Sequence, residues 1–153
     1  MINYIDPTSE PFNKKHFSWK ELENKLHRLC AEITEDCTLH NSTPKETFVG
    51  VYGIPRGGVI LAVMISHMLD IPYIDSLQNC YGKEFIVVDD IADTGHTLSK
   101  MKSEVFDKAT FATIHYSRQS TFEPHYWVEE KTDQWIIYPW ESEDSKPIQD
   151  YML

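Results

Sequence analysis

Three acidic residues and a loop rich in glycine and threonine follow one strongly apolar segment of the sequence. The segment Glu84–Val88 leads into Asp89 and Asp90, and Asp93–Thr97 follows directly. An apolar run of this length predicts a buried strand, and ligands of open α/β sheets bind at the carboxyl ends of strands. We therefore expect a ligand site where this strand ends.

The loop after Asp93 has the composition of a phosphate site. Backbone N–H groups between Thr94 and Thr97, together with the two threonine hydroxyls, can surround a phosphate. The N-terminus of the helix that follows adds about half a positive charge. An α/β protein without a ligand here could also show an acidic strand end and a capping threonine, but it needs neither Asp90 nor Asp93 at this spacing.

A second glycine-rich turn, Ile54–Gly58, contains a single arginine. Glycine lets backbone N–H groups come close to an anion, and Arg56 can add a charge-assisted contact. Such a turn is common on protein surfaces, so alone it indicates an anion site only weakly.

The segment Val87–Leu98 resembles the ribose-5-phosphate-binding signature of the type I phosphoribosyltransferases. The resemblance implies that Asp89 and Asp90 hold the ribose hydroxyls of phosphoribosyl pyrophosphate (PRPP), directly or through Mg²⁺. It implies that Asp93 is the general base toward a purine ring nitrogen. It assigns the 5-phosphate to Thr94, Gly95, His96 and Thr97.

The same resemblance gives the turn at Ile54–Gly58 a role. It implies that Pro55, Arg56 and Gly57 form the pyrophosphate loop. In that family the loop often contains a cis peptide that does not precede proline. Here that peptide would be the bond between Pro55 and Arg56.

The segment Thr132–Glu141 is similar to the C-terminal hood of the xanthine/guanine branch of that family. The similarity implies that Trp135 stacks on the purine and that Ile136 is the adjacent contact. Stacking of a base on an aromatic ring is worth about 1–3 kcal/mol. The alternative is that these tryptophans are core or interface anchors, which suits Trp140 better than Trp135 and which we prefer for Trp127.

Two features depart from the family pattern. The lysine that specifies the purine would fall at or near Ser117, with Arg118 beside it as the alternative donor. A guanidinium can donate to a 6-oxo group, but as a planar fork rather than a point charge. The connection Ser76–Glu84 is short where relatives have a longer closing loop, so it predicts poor exclusion of water.

Alternating strand and helix patterns predict an α/β fold with a parallel sheet flanked by helices and a small C-terminal hood. We expect residues 1–153 to form one domain, with the core at about 17–118 and the hood and tail at about 119–153. The first dozen residues look irregular. The predicted helices are about 19–35, 59–69 and one that begins after 97, which places Leu98, Met101 and Val105 on one face. The predicted strands are 47–52, about 71–74, 84–90 and 111–115.

Composition excludes several classes of partner. The chain has 153 residues and a formal net charge of −10, which disfavours nucleic acid and anionic membranes. Three cysteines without a CxxC pair read as free thiols, and no signal peptide is indicated, so we expect a cytoplasmic protein. We also expect a homo-oligomer.

Two functions remain open from the sequence. One is an enzyme that transfers the phosphoribosyl group of PRPP to a 6-oxopurine (guanine, xanthine or hypoxanthine), with Mg²⁺, and releases pyrophosphate and a nucleoside monophosphate. The other is a related protein with weakened catalysis that binds PRPP or nucleotides, which the short connection and the missing lysine suggest. The three acids at Asp89, Asp90 and Asp93 favour the enzyme.

Overall fold

A computed structural model describes residues 13–104 and 108–144. The predicted irregular arm at residues 1–12 and Val105 of the predicted helical face lie outside this range. Along the chain, the elements are β1 (Lys14–His16), α1 (Trp19–Leu39), α2 (Pro44–Thr47), β2 (Val51–Gly53), α3 (Gly57–Leu69), β3 (Tyr73–Ile74), a 3₁₀ turn (Leu77–Cys80), β4 (Phe85–Ala92), α4 (His96–Glu104), β5 (Ala109–Tyr116), β6 (Tyr126–Glu130) and β7 (Trp135–Ile137).

The main sheet has five parallel strands in the order β3-β2-β4-β5-β6. After β2 the chain turns outward to β3, and it returns to place β4 on the other side of β2. This reversal makes the gap between the carboxyl ends of β2 and β4 the switch point of the sheet, where α/β folds bind ligands. The predicted α/β class with a parallel sheet is confirmed.

Strand β4 is the centre of the core. Its first four residues, Phe85–Val88, are fully buried, because one hydrophobic cluster covers each face of the sheet. Pairing with β2 ends at Gly53 opposite Val88, whereas pairing with β5 continues to Ala92 opposite Tyr116. The acidic residues of β4 therefore begin where its neighbour on one side stops.

Helix α1 forms where the sequence predicts it and ends four residues later than about Glu35. Its cap is Ser18, whose Oγ accepts a hydrogen bond from the backbone N–H of Glu21. Residues at helical spacing bury one stripe of the helix against the core: Leu22, Leu26, Leu29 and Ile33. Cys37 is also buried, so the apolar face continues past the predicted end.

The region after Arg118 differs from the prediction. We expected a hood outside the sheet, but β6 joins the edge of the main sheet beside β5. On this edge Trp127 packs against Tyr116, with 5.0 Å between the ring centroids. The mixture of acidic and aromatic residues in β6 hides its strand character, because a strand at an edge needs fewer buried side chains.

The hood begins after β6 and is held by the N-terminal segment. Strand β7 pairs in parallel with β1, which the sequence did not predict as a strand. The backbone N–H of Phe17 donates to Ile137 and that of Trp135 donates to Asn13. The first predicted strand also shifts, because α2 occupies residues 44–47 and β2 starts only at Val51.

A buried polar chain connects the sheet to the hood. His115 on β5 is 1% exposed, and its Nε2 lies 3.1 Å from Glu129 Oε2 while its Nδ1 lies 2.8 Å from the hydroxyl of Tyr138. The Tyr138 hydroxyl also donates to the backbone carbonyl of Asp90 at 3.3 Å. The hood is thus bonded to the acidic end of β4 through Tyr138.

Within residues 13–104 and 108–144, no helix is both long and apolar enough to cross a bilayer.

The burial of His115 predicts a pH-dependent stability. Burial lowers the pKa of His115 from its ordinary 6.5 to about 4. Between these values the unfolded chain binds more protons than the folded protein, so stability falls as the pH drops from about 6.5 toward 4, by up to about 1.4 kcal/mol per unit. Urea unfolding at about pH 7, 6 and 5 measures this slope.

A His115→Gln variant is the control, because glutamine keeps polar contacts but does not titrate. The slope should be smaller in this variant than in the wild type. Equal slopes in the two proteins would show that His115 does not carry the effect.

Candidate active site

The acidic pair lies at the end of β4, beside the switch point. The Asp89 carboxylate accepts a hydrogen bond from the backbone N–H of Asp90, and the Asp90 carboxylate accepts one from Ile91. These local bonds hold both side chains at the strand end. Both residues are partly exposed, in contrast to the buried Phe85–Val88 before them.

The glycine-rich turn Ile54–Gly58 follows β2 and packs against this acidic pair. The Pro55–Arg56 peptide is cis, as the family resemblance implied. The backbone N–H of Ile54 donates to Val88, and α3 begins at Gly57 directly after the turn. A Cβ at Gly57 would lie 2.5 Å from Asp90 Oδ2, so a side chain here would displace the Asp90 carboxylate.

The loop from Asp93 to Thr97 turns into α4. Gly95 has φ +83°, a conformation that favours glycine. The side-chain oxygen of Thr94 accepts from the backbone N–H of His96, and α4 starts there. Thr94, His96 and Thr97 keep at least part of their surface exposed, so the predicted phosphate donors lie at a helix N-terminus open to solvent.

One cleft unites these segments. It is lined by Ile54, Pro55 and residues 89–98. The acidic pair, the start of the glycine-rich turn and the phosphate loop therefore face the same space, as the sequence predicted from their positions along the chain.

Asp93, which lines this cleft, is held by two donors. Gln119 Nε2 donates to Asp93 Oδ1 at 3.0 Å, and Lys131 Nζ lies 3.1 Å from Asp93 Oδ2. The Asp93–Lys131 pair is mostly buried, with side-chain exposures of 10% and 14%. Sequence analysis missed both partners, because each comes from the segment that was assigned to a separate hood.

Trp135 lies next to this pair. Lys131 Nζ lies over the indole at 5.6 Å from the ring centroid, within the range of a cation–π contact. The indole Nε1 is buried with no hydrogen-bond partner. Ile136 is buried and pairs with Lys15 across the small sheet. Through Lys131, the structure brings the predicted stacking ring of Trp135 close to Asp93, the predicted general base.

Ser117 and Arg118, the predicted purine-specifying positions, do not both face this corner. The backbone N–H of Ser117 donates to Ala92, which keeps the residue buried beside the end of β4. Arg118 is turned to the surface, where its side chain is 80% exposed and its Nε donates to Glu130 at 2.6 Å. The ion pair with Glu130 directs the guanidinium away from Asp93.

The short connection Ser76–Glu84 is folded against the core. It contains the 3₁₀ turn Leu77–Cys80, and Cys80 is 1% exposed. Burial raises the pKa of the Cys80 thiol, so this cysteine is an inert part of the core.

Comparisons with known proteins agree with this geometry. The xanthine-guanine phosphoribosyltransferase of Desulfotalea psychrophila is 31% identical to this chain over 147 residues, which is 82% of this chain and 85% of that protein. The chain belongs to the xanthine-guanine phosphoribosyltransferase family. The protein of the same name from Idiomarina loihiensis is 29% identical and covers 84% of this chain and 88% of its own length.

A solved structure supports the fold of this phosphoribosyltransferase. The purine phosphoribosyltransferase from Pyrococcus horikoshii superposes with a TM-score of 0.70 at 24% identity, over 86% of this chain and 97% of that one. No protein-family model matches the chain. The protein is accordingly an enzyme of the phosphoribosyltransferase class, within the glycosyltransferases.

The phosphate loop depends on Gly95 for its packing, and Gly82 provides a matched control. A Cβ at Gly95 would lie 2.6 Å from the backbone N of Phe122, whereas a Cβ at Gly82 (φ +72°) meets nothing within 4 Å. Alanine at either position incurs the cost of a positive φ, about 1–2 kcal/mol. Gly95→Ala should lose about 1–3 kcal/mol more than Gly82→Ala in denaturant unfolding, because it also displaces backbone. Equal losses would show that residues 120–122 do not constrain the loop.

Proposed function

We propose that this enzyme transfers the phosphoribosyl group of PRPP to a ring nitrogen of a 6-oxopurine. The products are pyrophosphate and a nucleoside 5′-monophosphate. The observation that supports this most is the convergence on one cleft of an acidic strand end, a phosphate loop and the start of a second glycine-rich turn, with Trp135 joined through Lys131 to Asp93, which lines the cleft. The names of the two relatives point to the same class of base.

Asp89 and Asp90 fit Mg²⁺ that is bound together with a diphosphate. Mg²⁺ is usually held by one or two carboxylates plus substrate phosphates, not by a cage of protein ligands. In the described part of the chain, no three or more His, Cys, Asp or Glu residues are grouped as a metal site. Bound there, the cation would neutralise charge on the leaving pyrophosphate.

Three groups of residues bind the three parts of PRPP: the 5-phosphate, the ribose and the pyrophosphate. Backbone N–H groups of Thr94–Thr97 and the N-terminus of α4 hold the 5-phosphate. Asp89 and Asp90 accept hydrogen bonds from the ribose hydroxyls. Arg56 and the N–H groups of the turn before α3 hold the pyrophosphate and stabilise its developing charge.

Asp93 removes the proton from the base. The purine stacks on Trp135, which aligns its ring nitrogen with C1 of the ribose. As one imidazole nitrogen of the purine bonds to C1, the proton on the other imidazole nitrogen, N7, passes to the Asp93 carboxylate. Gln119 holds Asp93 in place through Oδ1, and the base takes the place of Lys131 as the partner of Oδ2.

The direct test is incubation with PRPP, Mg²⁺ and one base at a time: guanine, xanthine, hypoxanthine, adenine and uracil. We expect a nucleoside monophosphate with at least one 6-oxopurine. Binding of PRPP without any monophosphate would contradict the transferase and leave a nucleotide-binding protein.

An Asp93→Asn variant tests the general base. Asparagine keeps the size and the contact with Gln119 but cannot take a proton. Turnover should fall by roughly 10²- to 10⁴-fold while PRPP affinity, measured by calorimetry, stays within about threefold. Turnover close to that of the wild type would place the base elsewhere.

The folded Ser76–Glu84 connection predicts a leaky enzyme. Because Cys80 is anchored in the core, little of this segment can extend over C1, where positive charge develops and water can attack. We expect ribose 5-phosphate beside nucleotide, and more of it when the base is left out. Fast transfer with no hydrolysis would mean that another element excludes water.

A further inference from the structure

Lys131 is placed in the site by the sheet rather than by the hood. It follows β6 directly, and its backbone N–H donates to the carbonyl of Tyr116 at the end of β5. Its Nζ then lies 3.1 Å from Asp93 Oδ2 and 5.6 Å from the centroid of Trp135. A mostly buried acid, a mostly buried ammonium and an aromatic face thus meet in one corner beside the cleft that Asp93 lines.

This corner has the donors and acceptors that recognise one edge of an oxopurine. The N7 and O6 atoms of such a base are neighbours on its major-groove edge. When N7 carries a proton, that edge presents an N–H next to a carbonyl. A carboxylate beside an ammonium is complementary to this pair, with Asp93 accepting from N7–H and Lys131 donating to O6.

Lys131 also lies where the base must enter. Its ammonium covers part of the Trp135 ring, and both carboxylate oxygens of Asp93 have a partner, one from Gln119 and one from Lys131. A base that stacks on Trp135 and bonds to Asp93 Oδ2 displaces the Lys131 ammonium from Asp93. The ammonium then lies beside the N7/O6 edge of the base. The nearest acceptor that this edge offers is O6.

We propose that Lys131 is the specificity-determining residue of the base site, donating from Nζ to O6 of a 6-oxopurine after the base breaks its ion pair with Asp93. The assignment rests on the proposed function. It replaces Arg118, whose guanidinium points to Glu130 at the surface. A 6-amino base is rejected because its amino group and the ammonium are both donors.

Two substitutions separate this role from a structural one. Lys131→Met removes the charge and the donor, so KM for the preferred 6-oxopurine should rise about 10- to 100-fold with a much smaller change in kcat. Lys131→Gln keeps a polar side chain that can donate to a 6-oxo group or accept from a 6-amino group. It should lower the preference for hypoxanthine over adenine at least tenfold.

The control is Lys45→Met. Lys45 also pairs with an aspartate, Asp70 at 2.9 Å, but this pair is exposed and lies at the end of α3 opposite to the glycine-rich turn. The variant should leave KM and base preference unchanged. Circular dichroism of all three variants shows whether each is folded, and Lys131→Gln serves if Lys131→Met is not.

Calorimetric titration with inosine and adenosine 5′-monophosphates separates the role of Lys131 from the transferase activity. If the wild type forms a nucleotide but Lys131→Gln keeps the wild-type preference between hypoxanthine and adenine, the role of Lys131 is wrong and the transferase stands. If the wild type transfers to no base yet prefers inosine monophosphate through Lys131, the transferase fails and the role of Lys131 stands. If neither transfer nor nucleotide binding occurs, both are wrong.

Discussion

Burial on both faces leaves β4 no place for a charged side chain until the strand passes the end of β2. Pairing with β2 stops at Val88, and the next two residues are Asp89 and Asp90. On the other side β5 continues along β4 to Ala92, so the acidic end stays rigid while one flank is open. The glycine-rich turn before α3 fills that flank, with Gly57 in close approach to Asp90.

The same arrangement explains how the hood is kept in register with the cleft. Tyr138 is buried, stacks on Trp140 with 5.0 Å between centroids, and donates to the carbonyl of Asp90. On its other side the hydroxyl contacts His115, which is part of the sheet. Because Trp135 is three residues before Tyr138, this contact also limits where the stacking ring can lie.

The sequence was sufficient for the parts of the site that are local in the chain. Each of these parts follows the end of a strongly apolar strand. They are the two acids Asp89 and Asp90, the loop Asp93–Thr97 and the glycine-rich turn Ile54–Gly58. Parallel strands bring their carboxyl ends to one edge, so the cleft followed from the pattern. The cis peptide at Pro55–Arg56 followed only from the family resemblance.

The partners of Asp93 depend on contacts that no local pattern contains. β6 is an edge strand with acidic and aromatic residues, so the sequence pattern assigned it to the hood. The position of Lys131 beside Tyr116 was therefore not predicted. β1 is three residues long and exists only through its pairing with β7. Arg118 was expected near the base because the resemblance puts the family's lysine at or near Ser117, but its ion pair with Glu130 turns it outward.

A crystal structure of the complex with inosine or guanosine 5′-monophosphate tests the central claim, that the end of β4 is the nucleotide site. The account predicts the phosphate on the N–H groups of Thr94–Thr97 and the ribose hydroxyls at Asp89 and Asp90. It predicts the base against Trp135, with a hydrogen bond from Lys131 Nζ to O6. A nucleotide bound elsewhere, or a base in this cleft whose O6 receives no hydrogen bond from Lys131, would contradict it.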